Sequence, residues 1–513
     1  MGVPLETQVI ISGGGPVGML LASELALVGI DVVVVERRAE PTDEPRAGTM
    51  HARTLQSLAR RGFVPADDDG DPDAFKSAKY FFAGVPGLTM RSPATEPPPV
   101  LNIPQIELER MFETRARVNG ATILRGHEVL HVVESDEGVL VSGEAVRDPS
   151  AKWSISGQYL VGADGARGIV RQSMGFQAED HPPTIDGLIA KARLLEPATA
   201  PMAFQRTPRG WTRIDQHVDG GYSRLMTFGF EGPAPDRHAP PTFTEFQERF
   251  ARIVGRPVPM ADPLFLARFS DYARLVTEYR RGRVLLAGDA AHVHFPIAGQ
   301  GLNLGIQDAF NLGWKLAAAM TRGEDSLLDT YHEERHPRAR RVVMNTRAQV
   351  VLMCPTDDFA PLRELVGELL ELEAAADHLA MMINGQDIAY PAPDGSCSGE
   401  FQPNFSLRSD HGATSIARLL EQGRPVLIAH DRFGSELADL ADRWNSTIVA
   451  VHAAAAAALP WDCALIRPDG YLAWTGSLEH GERATVERVL RGWYGGPENA
   501  ADSSERSRMW ISS

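Results

Sequence analysis

Residues 8–36 constrain this chain more than any other stretch. Gln8-Val9-Ile10-Ile11-Ser12 reads as a short buried strand that runs directly into Gly13-Gly14-Gly15-Pro16-Val17-Gly18. A helical stretch follows over Met19–Val28, closed by Gly29, and a second β-branched run, Val32–Val35, ends at Glu36. This is a complete strand–turn–helix–strand unit with an acid at the end of its second strand. The glycines permit a tight turn and let a pyrophosphate approach the backbone, while the helix N-terminus offers free amides and partial positive charge. Glu36 can accept hydrogen bonds from an adenosine ribose. A merely structural turn would leave Glu36 unexplained, so the unit is read as a dinucleotide site. By itself it does not separate NAD(P) from FAD.

The bulk numbers narrow the class. A chain of 513 residues has room for about three domains. A net charge of −16 disfavours nucleic acid and anionic membrane surfaces, which both require a cationic face. No run approaches the ~18 consecutive apolar residues of a membrane span, and Met1–Glu6 lacks a basic leader. Cys354, Cys397 and Cys463 lie far apart, which argues against a disulfide framework or a zinc site and suits a reducing cytoplasm. The expectation is a cytoplasmic protein, monomer or homodimer, with no metal.

Further motifs follow the first unit. Arg46-Ala47-Gly48 and His51-Ala52-Arg53 come next, and Gly162-Ala163-Asp164-Gly165-Ala166-Arg167 closes a strand at Tyr159–Val161. Arg283-Val284-Leu285-Leu286-Ala287-Gly288-Asp289 is another strand-to-turn unit, continuing through Pro296-Ile297-Ala298-Gly299-Gln300-Gly301-Leu302-Asn303 into a helix over Leu304–Met320. In this order and spacing, together with the ending Arg467-Pro468-Asp469-Gly470-Tyr471, the whole chain resembles the class A flavoprotein monooxygenases. Within them it is most similar to the aromatic-polyketide hydroxylases of actinomycete antibiotic pathways.

The resemblance implies non-covalent FAD, with NADPH and O₂ as co-substrates and a polycyclic aromatic substrate. It implies that Gly13, Gly15, Pro16, Val17 and Gly18 meet the pyrophosphate and Glu36 the ribose. Arg37 and Arg46 would lie along the diphosphate or ribityl region, Gln105 at the ribityl chain and Val129 at the adenine. Asp164 would serve both FAD and the nicotinamide, and Asp289 the ribityl-phosphate region. Pro296, Gly299, Gly301, Leu302 and Asn303 would wrap the isoalloxazine. The family's usual proline–glycine–glycine wording is altered here to Pro296-Ile297-Ala298-Gly299. Independently of any family, glycines before a helix could aim amides at a flavin pyrimidine, which is negatively charged when reduced. Asn303 also reads as an ordinary N-cap.

The implied fold is α/β. A Rossmann-like FAD-binding domain (1–75, 100–180 and 282–360) holds an inserted antiparallel-sheet substrate domain (76–99 and 181–281). A helical linker (361–400) and a thioredoxin-like C-terminal domain without Cys-x-x-Cys (401–513) complete it. In the inserted sheet, Arg224, Met226, Phe228 and Phe230 alternate onto one face, and Asp219-Gly220-Gly221 signals a hairpin. Phe81, Phe82, Phe204, Trp211, Phe228 and Phe230 are candidates for an apolar wall against a flat substrate, with core packing the competing account of each. The proline-rich stretch 92–104 reads as a loop, and Ala453–Ala458 as a good helix former.

Other signals carry less. His332-Glu333-Glu334-Arg335-His336 spells the zincin pattern, but Pro337 follows at once and disfavours helical geometry there. His292 and His294 have no evident third ligand. Lys76 and Lys79 raise the flavin-dependent halogenases, yet none of the eight tryptophans are spaced by one residue, as that family's Trp-x-Trp-x-Ile-Pro segment requires. No obligatory acid–base residue is expected, because the resemblance implies that reduced flavin would capture O₂ as a C4a-hydroperoxide and that the cofactor would carry the hard chemistry. Baeyer–Villiger or ring-rearranging oxygenation, and a flavin-binding protein without turnover, are the alternatives.

Overall fold

The computed structural model describes residues 5–496 except 43, 45–46, 68–69, 72–73, 201–202, 220, 235, 237–238, 323–324, 393–394, 396, 410–411, 431–432, 445–446, 453, 456–459 and 479–482. The strand Leu5–Ser12 lies at the centre of an eight-stranded sheet, parallel to Asp148–Gly162 on one side and Val32–Glu36 on the other. Thr122–Arg125 and Val284–Leu286 extend the parallel part, and His127–Glu134 and Val139–Ala145 add an antiparallel flap. Val9–Ile11 and Val32–Val35 are buried, as unbroken apolar strands must be when both faces of a parallel sheet are covered. The helix Pro16–Leu27 packs between Gln105–Val118 and Gln300–Arg322.

A second sheet, antiparallel, runs in the order Ala203–Thr207, Gly210–Asp219, Tyr222–Gly229, Asp186–Leu194, Met260–Ser270. Its period-two pattern sorts side chains onto two faces. Leu188, Ala190, Ile214 and Leu225 pack on Phe246 and Phe250 of the helix Phe243–Val254. Ile189, Trp211, Met226 and Phe228 face the other way, toward Phe82 and Phe295. A separate hairpin, Phe75–Phe82 with Val85–Pro93, rests its turn on this second face. A Cβ on Gly84 would lie 2.6 Å from the Trp211 ring. The helices Ala360–Glu371 and Glu373–Asn384 pack on the same hairpin.

Three local expectations are corrected. The helix Asp329–Met353 passes straight through Pro337. Proline removes one donor, but the carbonyl it would have served belongs to exposed Glu333, where water can substitute, while Tyr331, Arg335 and Ala339 anchor the buried face. Within 92–104, Val100–Asn102 forms a strand against Thr49–His51; the prolines stop at Pro99 and resume only at Pro104. Ala454–Ala455 pairs as a strand with Leu407–Arg408, so pairing overrides alanine's helix propensity; Ala453 and 456–459 lie outside the described residues.

The C-terminal sheet runs Val449–His452, Val426–Ala429, Cys463–Ile466, Leu472–Gly476, with its first pair parallel and the others antiparallel. Helices Gly434–Trp444 and Arg483–Tyr494 contribute to the core beside it. Buried ion pairs lock this region to the first. Arg60 donates to both Glu96 oxygens and to the Gln402 carbonyl. Arg61 donates to Glu24 and to the carbonyls of Leu420 and Pro468. Arg467 pairs with Glu334 and Asp469, and Lys315 Nζ lies 2.8 Å from Glu334.

Candidate active site

Because the strands ending at Ser12, Glu36, Gly162 and Leu286 are parallel and in register, their C-terminal ends open on one edge, where ligands bind in such sheets. A cavity of about 960 Å³ occupies that edge and continues to the inserted antiparallel sheet.

The two glycine positions flanking Gly14 do different work. Gly13 has φ +109°, and a Cβ there would lie 2.4 Å from the Ala163 carbonyl oxygen. Gly15 is extended, precedes Pro16 at the first helical position, and offers a Cβ nothing within 4 Å, so it opens on the cavity. Gly18 does not line the cavity; a Cβ on it would lie 2.0 Å from Gly13 O, so it permits helix and turn to touch. Glu36 lines the cavity with its carboxylate already fixed, accepting from Gly14 N at 2.6 Å and Arg38 N at 2.8 Å. Pro16, Val17, Arg37, Gln105 and Val129 line the same end; Arg46 lies outside the described residues.

At the far side of the turn, Asp164 accepts from Val170 N at 3.1 Å, and its Oδ1 is buried with no partner among the described residues. Burial raises its carboxyl to about 6. Asp289, exposed, and Pro296, Gly299, Gly301 and Leu302 complete the lining here. Gln300 begins the helix, so the free amides of its first turn lie at the cavity. Asn303 therefore sits inside the helix and is not its N-cap. It does not line the cavity but clamps it, accepting from His51 N and donating to the carbonyls of Thr49 and Gly299 at 2.7–2.8 Å. Ala298 adopts φ +55°, uncommon outside glycine, and its carbonyl accepts from Tyr80 Oη at 3.2 Å.

Of the six candidate wall residues, only Phe81 lines the cavity. Phe204 stands behind it among Phe81, Trp211 and Phe228, at centroid distances of 5.8, 4.9 and 5.7 Å. Trp211 is tied by its indole N–H to the Met353 carbonyl. Phe82, Phe228 and Phe230 pack in the apolar cluster around these rings. Tyr80, Ile189, Arg213, Arg224, Met226 and Phe269 form the wall instead. The alternation through Arg224 and Met226 carried part of that signal; the rest depends on sheet register.

His294 lines the cavity beside Gly301. Its Nδ1 lies 2.9 Å from the Phe295 carbonyl, its Nε2 is buried without a partner among the described residues, and burial lowers its pKa to about 4, leaving it neutral. His292 instead pairs with Asp308 at 2.6 Å, deep in the core. His332 and His336 pack on Tyr279, and no metal-ligating cluster of three occurs among the described residues. Lys76 and Lys79 reach Glu96 O and Thr89 and do not line the cavity. Open space at Gly15, an orphaned buried carboxylate oxygen and the helix-start amides fit a flavin dinucleotide.

Comparison with known proteins agrees. The FAD binding domain family matches residues 6–346, and the family described as aromatic-ring hydroxylase, C-terminal, matches 396–497. A 12-dehydrotetracycline 5-monooxygenase/anhydrotetracycline 6-monooxygenase of Streptomyces rimosus is 36% identical, covering 96% of this chain and 100% of that protein. A dialkyldecalin synthase of Streptomyces rugosporus is 34% identical over 96% and 99%. The solved anhydrotetracycline hydroxylase from Streptomyces rimosus superimposes with a TM-score of 0.84 at 34% identity, covering 96% and 100%. The fold, the fitted cavity and these matches agree that the chain belongs to the FAD-dependent aromatic-ring hydroxylases, a family of flavoprotein monooxygenases.

Proposed function

We propose that this enzyme is an NADPH-consuming monooxygenase that hydroxylates a polycyclic, polyketide-type aromatic in antibiotic or other secondary-metabolite biosynthesis. The observation that carries the reading is the single cavity running from Gly15 and Glu36 to a wall of Phe81, Met226 and Phe269. The names of its Streptomyces rimosus relatives support the substrate class. When bound, FAD accepts a hydride from NADPH and delivers one oxygen atom of O₂ to the substrate.

The chain's own part is to bind, orient and exclude water. Gly13 and Gly15 with the helix at Pro16 hold the pyrophosphate, Glu36 the ribose, and Gln105 and Asp289 the ribityl region. Asp164 serves both FAD and the nicotinamide. Pro296, Gly299, Gly301 and Leu302 line the ring's seat, with Asn303 fixing the backbone beneath. The apolar part of the wall, Phe81, Met226 and Phe269, would keep water from the reacting carbon and position the substrate ring at the flavin. The mixed sheet of the C-terminal region, with one parallel pair and a terminal hairpin, supports a thioredoxin-like domain that serves structure, since it holds no Cys-x-x-Cys.

A second reading has a specific motive. A relative named as a dialkyldecalin synthase covers nearly the whole chain, so the flavin could be kept for shape alone. The test is anaerobic mixing of holoenzyme with NADPH while following the flavin's visible absorbance, with and without a polycyclic phenol. Bleaching that accelerates with the phenol, and a product carrying one new hydroxyl on admitting air, are expected; an ester of the same mass would mark Baeyer–Villiger insertion and change the oxygenation class. Flavin that stays oxidised with every aromatic favours the synthase-like reading, and a chain that binds no FAD ends both.

A further inference from the structure

We infer that Arg213 and Arg224 form an anion-selective subsite that takes an ionised oxygen of the aromatic substrate, a phenolate, enolate or carboxylate, and so selects which aromatics are accepted. The inference rests on the proposed function for its choice of ligand. Both arginines line the cavity, and they stand on adjacent strands of the inserted sheet. Arg213 is in register with Met226 and Asp215 with Arg224, so the two guanidiniums are diagonal neighbours on the face that carries Trp211, Met226 and Phe228.

Among the described residues, charge on this wall does not balance. Arg213 Nε donates to Asp215 at 3.0 Å, and Asp215 is also the one carboxylate among the described residues that acts on Arg224. One acid therefore serves two cations. The Arg224 Nε is buried and has no hydrogen-bond partner among the described residues. The residue in register with Arg224 on its other neighbour is Lys191, which adds no acid. The carboxylates that do line the cavity, Glu36, Glu109, Glu128, Asp164 and Asp289, all belong to the dinucleotide end. In a chain of net charge −16, a buried guanidinium with an unpartnered Nε, beside a second, half-buried one that shares its acid, favours an anion in this part of the cavity. Guanidinium suits the task because its planar donors grip a carboxylate or two vicinal oxygens at once. Strand anchoring fixes the grip, so the captured oxygen sets the angle of the ring above the flavin.

The test uses oxidised holoenzyme titrated with two matched probe pairs. The first is anthraquinone-2-carboxylate against its neutral carboxamide, and the second is alizarin against its 2-methyl ether. We expect at least one ionised probe to bind about tenfold more tightly than its neutral partner, with the responding pair telling carboxylate from phenolate. Arg213→Gln and Arg224→Gln should each remove most of that preference while the neutral partner's affinity stays within about twofold. Arg224→Lys should keep part of it, since charge remains but the fork is lost. Wild-type protein without preference in either pair would overturn the inference. So would equal weakening of both members of a pair, which marks packing, or loss of bound FAD in the variants, which would assign the arginines to the cofactor. Because binding is read without turnover, a failure of NADPH to bleach the flavin would sink the monooxygenase reading alone.

Discussion

Gly13 and Gly15 would answer the same added methyl group in opposite ways. At Gly13 the methyl meets a backbone oxygen in a left-handed conformation, whereas at Gly15 it enters open cavity from extended backbone. Gly13→Ala should therefore destabilise the flavin-free protein by about 2–3 kcal/mol. Gly15→Ala should leave its urea midpoint unchanged and lower only FAD affinity; denaturation and flavin titration separate the two. Asp164 gives a pH signature. Its folded carboxyl titrates at about 6 against an ordinary 3.8, because burial disfavours the charge. The protonated form is favoured by folding, so its stabilising effect is full below about 3.8 and is lost as pH rises through 6. Asp164→Asn should match the parent in acid and exceed it at neutral pH by up to about 3 kcal/mol in flavin-free protein, measured by urea unfolding across that range. The dinucleotide unit was legible because glycine turns and β-branched runs are local signals. Asn303 was not: its hydrogen-bond partner His51 lies 252 positions away, and nothing local tells a clamp from a cap. Arg224 was legible as a member of a face, but whether that face meets solvent or ligand depends on the packing of separate sheets.

At the scale of elements, the helix Asp329–Met353 shows how burial outranks propensity. Its proline is exposed while Tyr331, Arg335 and Ala339 hold the opposite side, and Arg335 donates to Asp308, Tyr390 and the Leu304 carbonyl. Pro337→Ala restores a missing donor with no packing loss, so it should raise stability by about 1–2 kcal/mol in chemical denaturation. Asp308 is the more sensitive partner. Burial alone would raise its carboxyl, but His292 and Arg335 outweigh it and hold the group ionised. Asp308→Ala strands a buried guanidinium and should cost about 3–5 kcal/mol, read as a lower melting temperature. The proline rule failed at sequence level because the three residues that hold the helix are separated by intervals that look like an ordinary charged surface. The inserted sheet was easier, since alternation reports a half-buried strand directly. The short strand at Val100–Asn102 escaped because flanking prolines masked it.

For the whole molecule, the C-terminal region is docked by charge as much as by apolar packing. Glu334 is held well below the usual carboxylate range: burial would raise it, but Arg467 and Lys315 outweigh that. Arg467→Met removes the partner shared by Glu334 and Asp469. It should cost about 3–5 kcal/mol and split one calorimetric transition into two as the regions uncouple. That Arg467-Pro468-Asp469-Gly470 is a fastening was invisible along the chain, since Glu334 precedes it by 133 positions. The cavity itself has a consequence for biosynthesis. Part of its lining comes from residues 12–17, 35–38 and 163–169, and a second part from within 287–302. The Val284–Leu286 strand that leads into that stretch joins the parallel part of the first sheet through Asp148–Gly162. A nascent chain thus displays half a binding site for the time needed to translate more than a hundred further residues. Flavin capture must come late on the ribosome, and supply of the cofactor during synthesis will act on the finished fold, with little to grip before it.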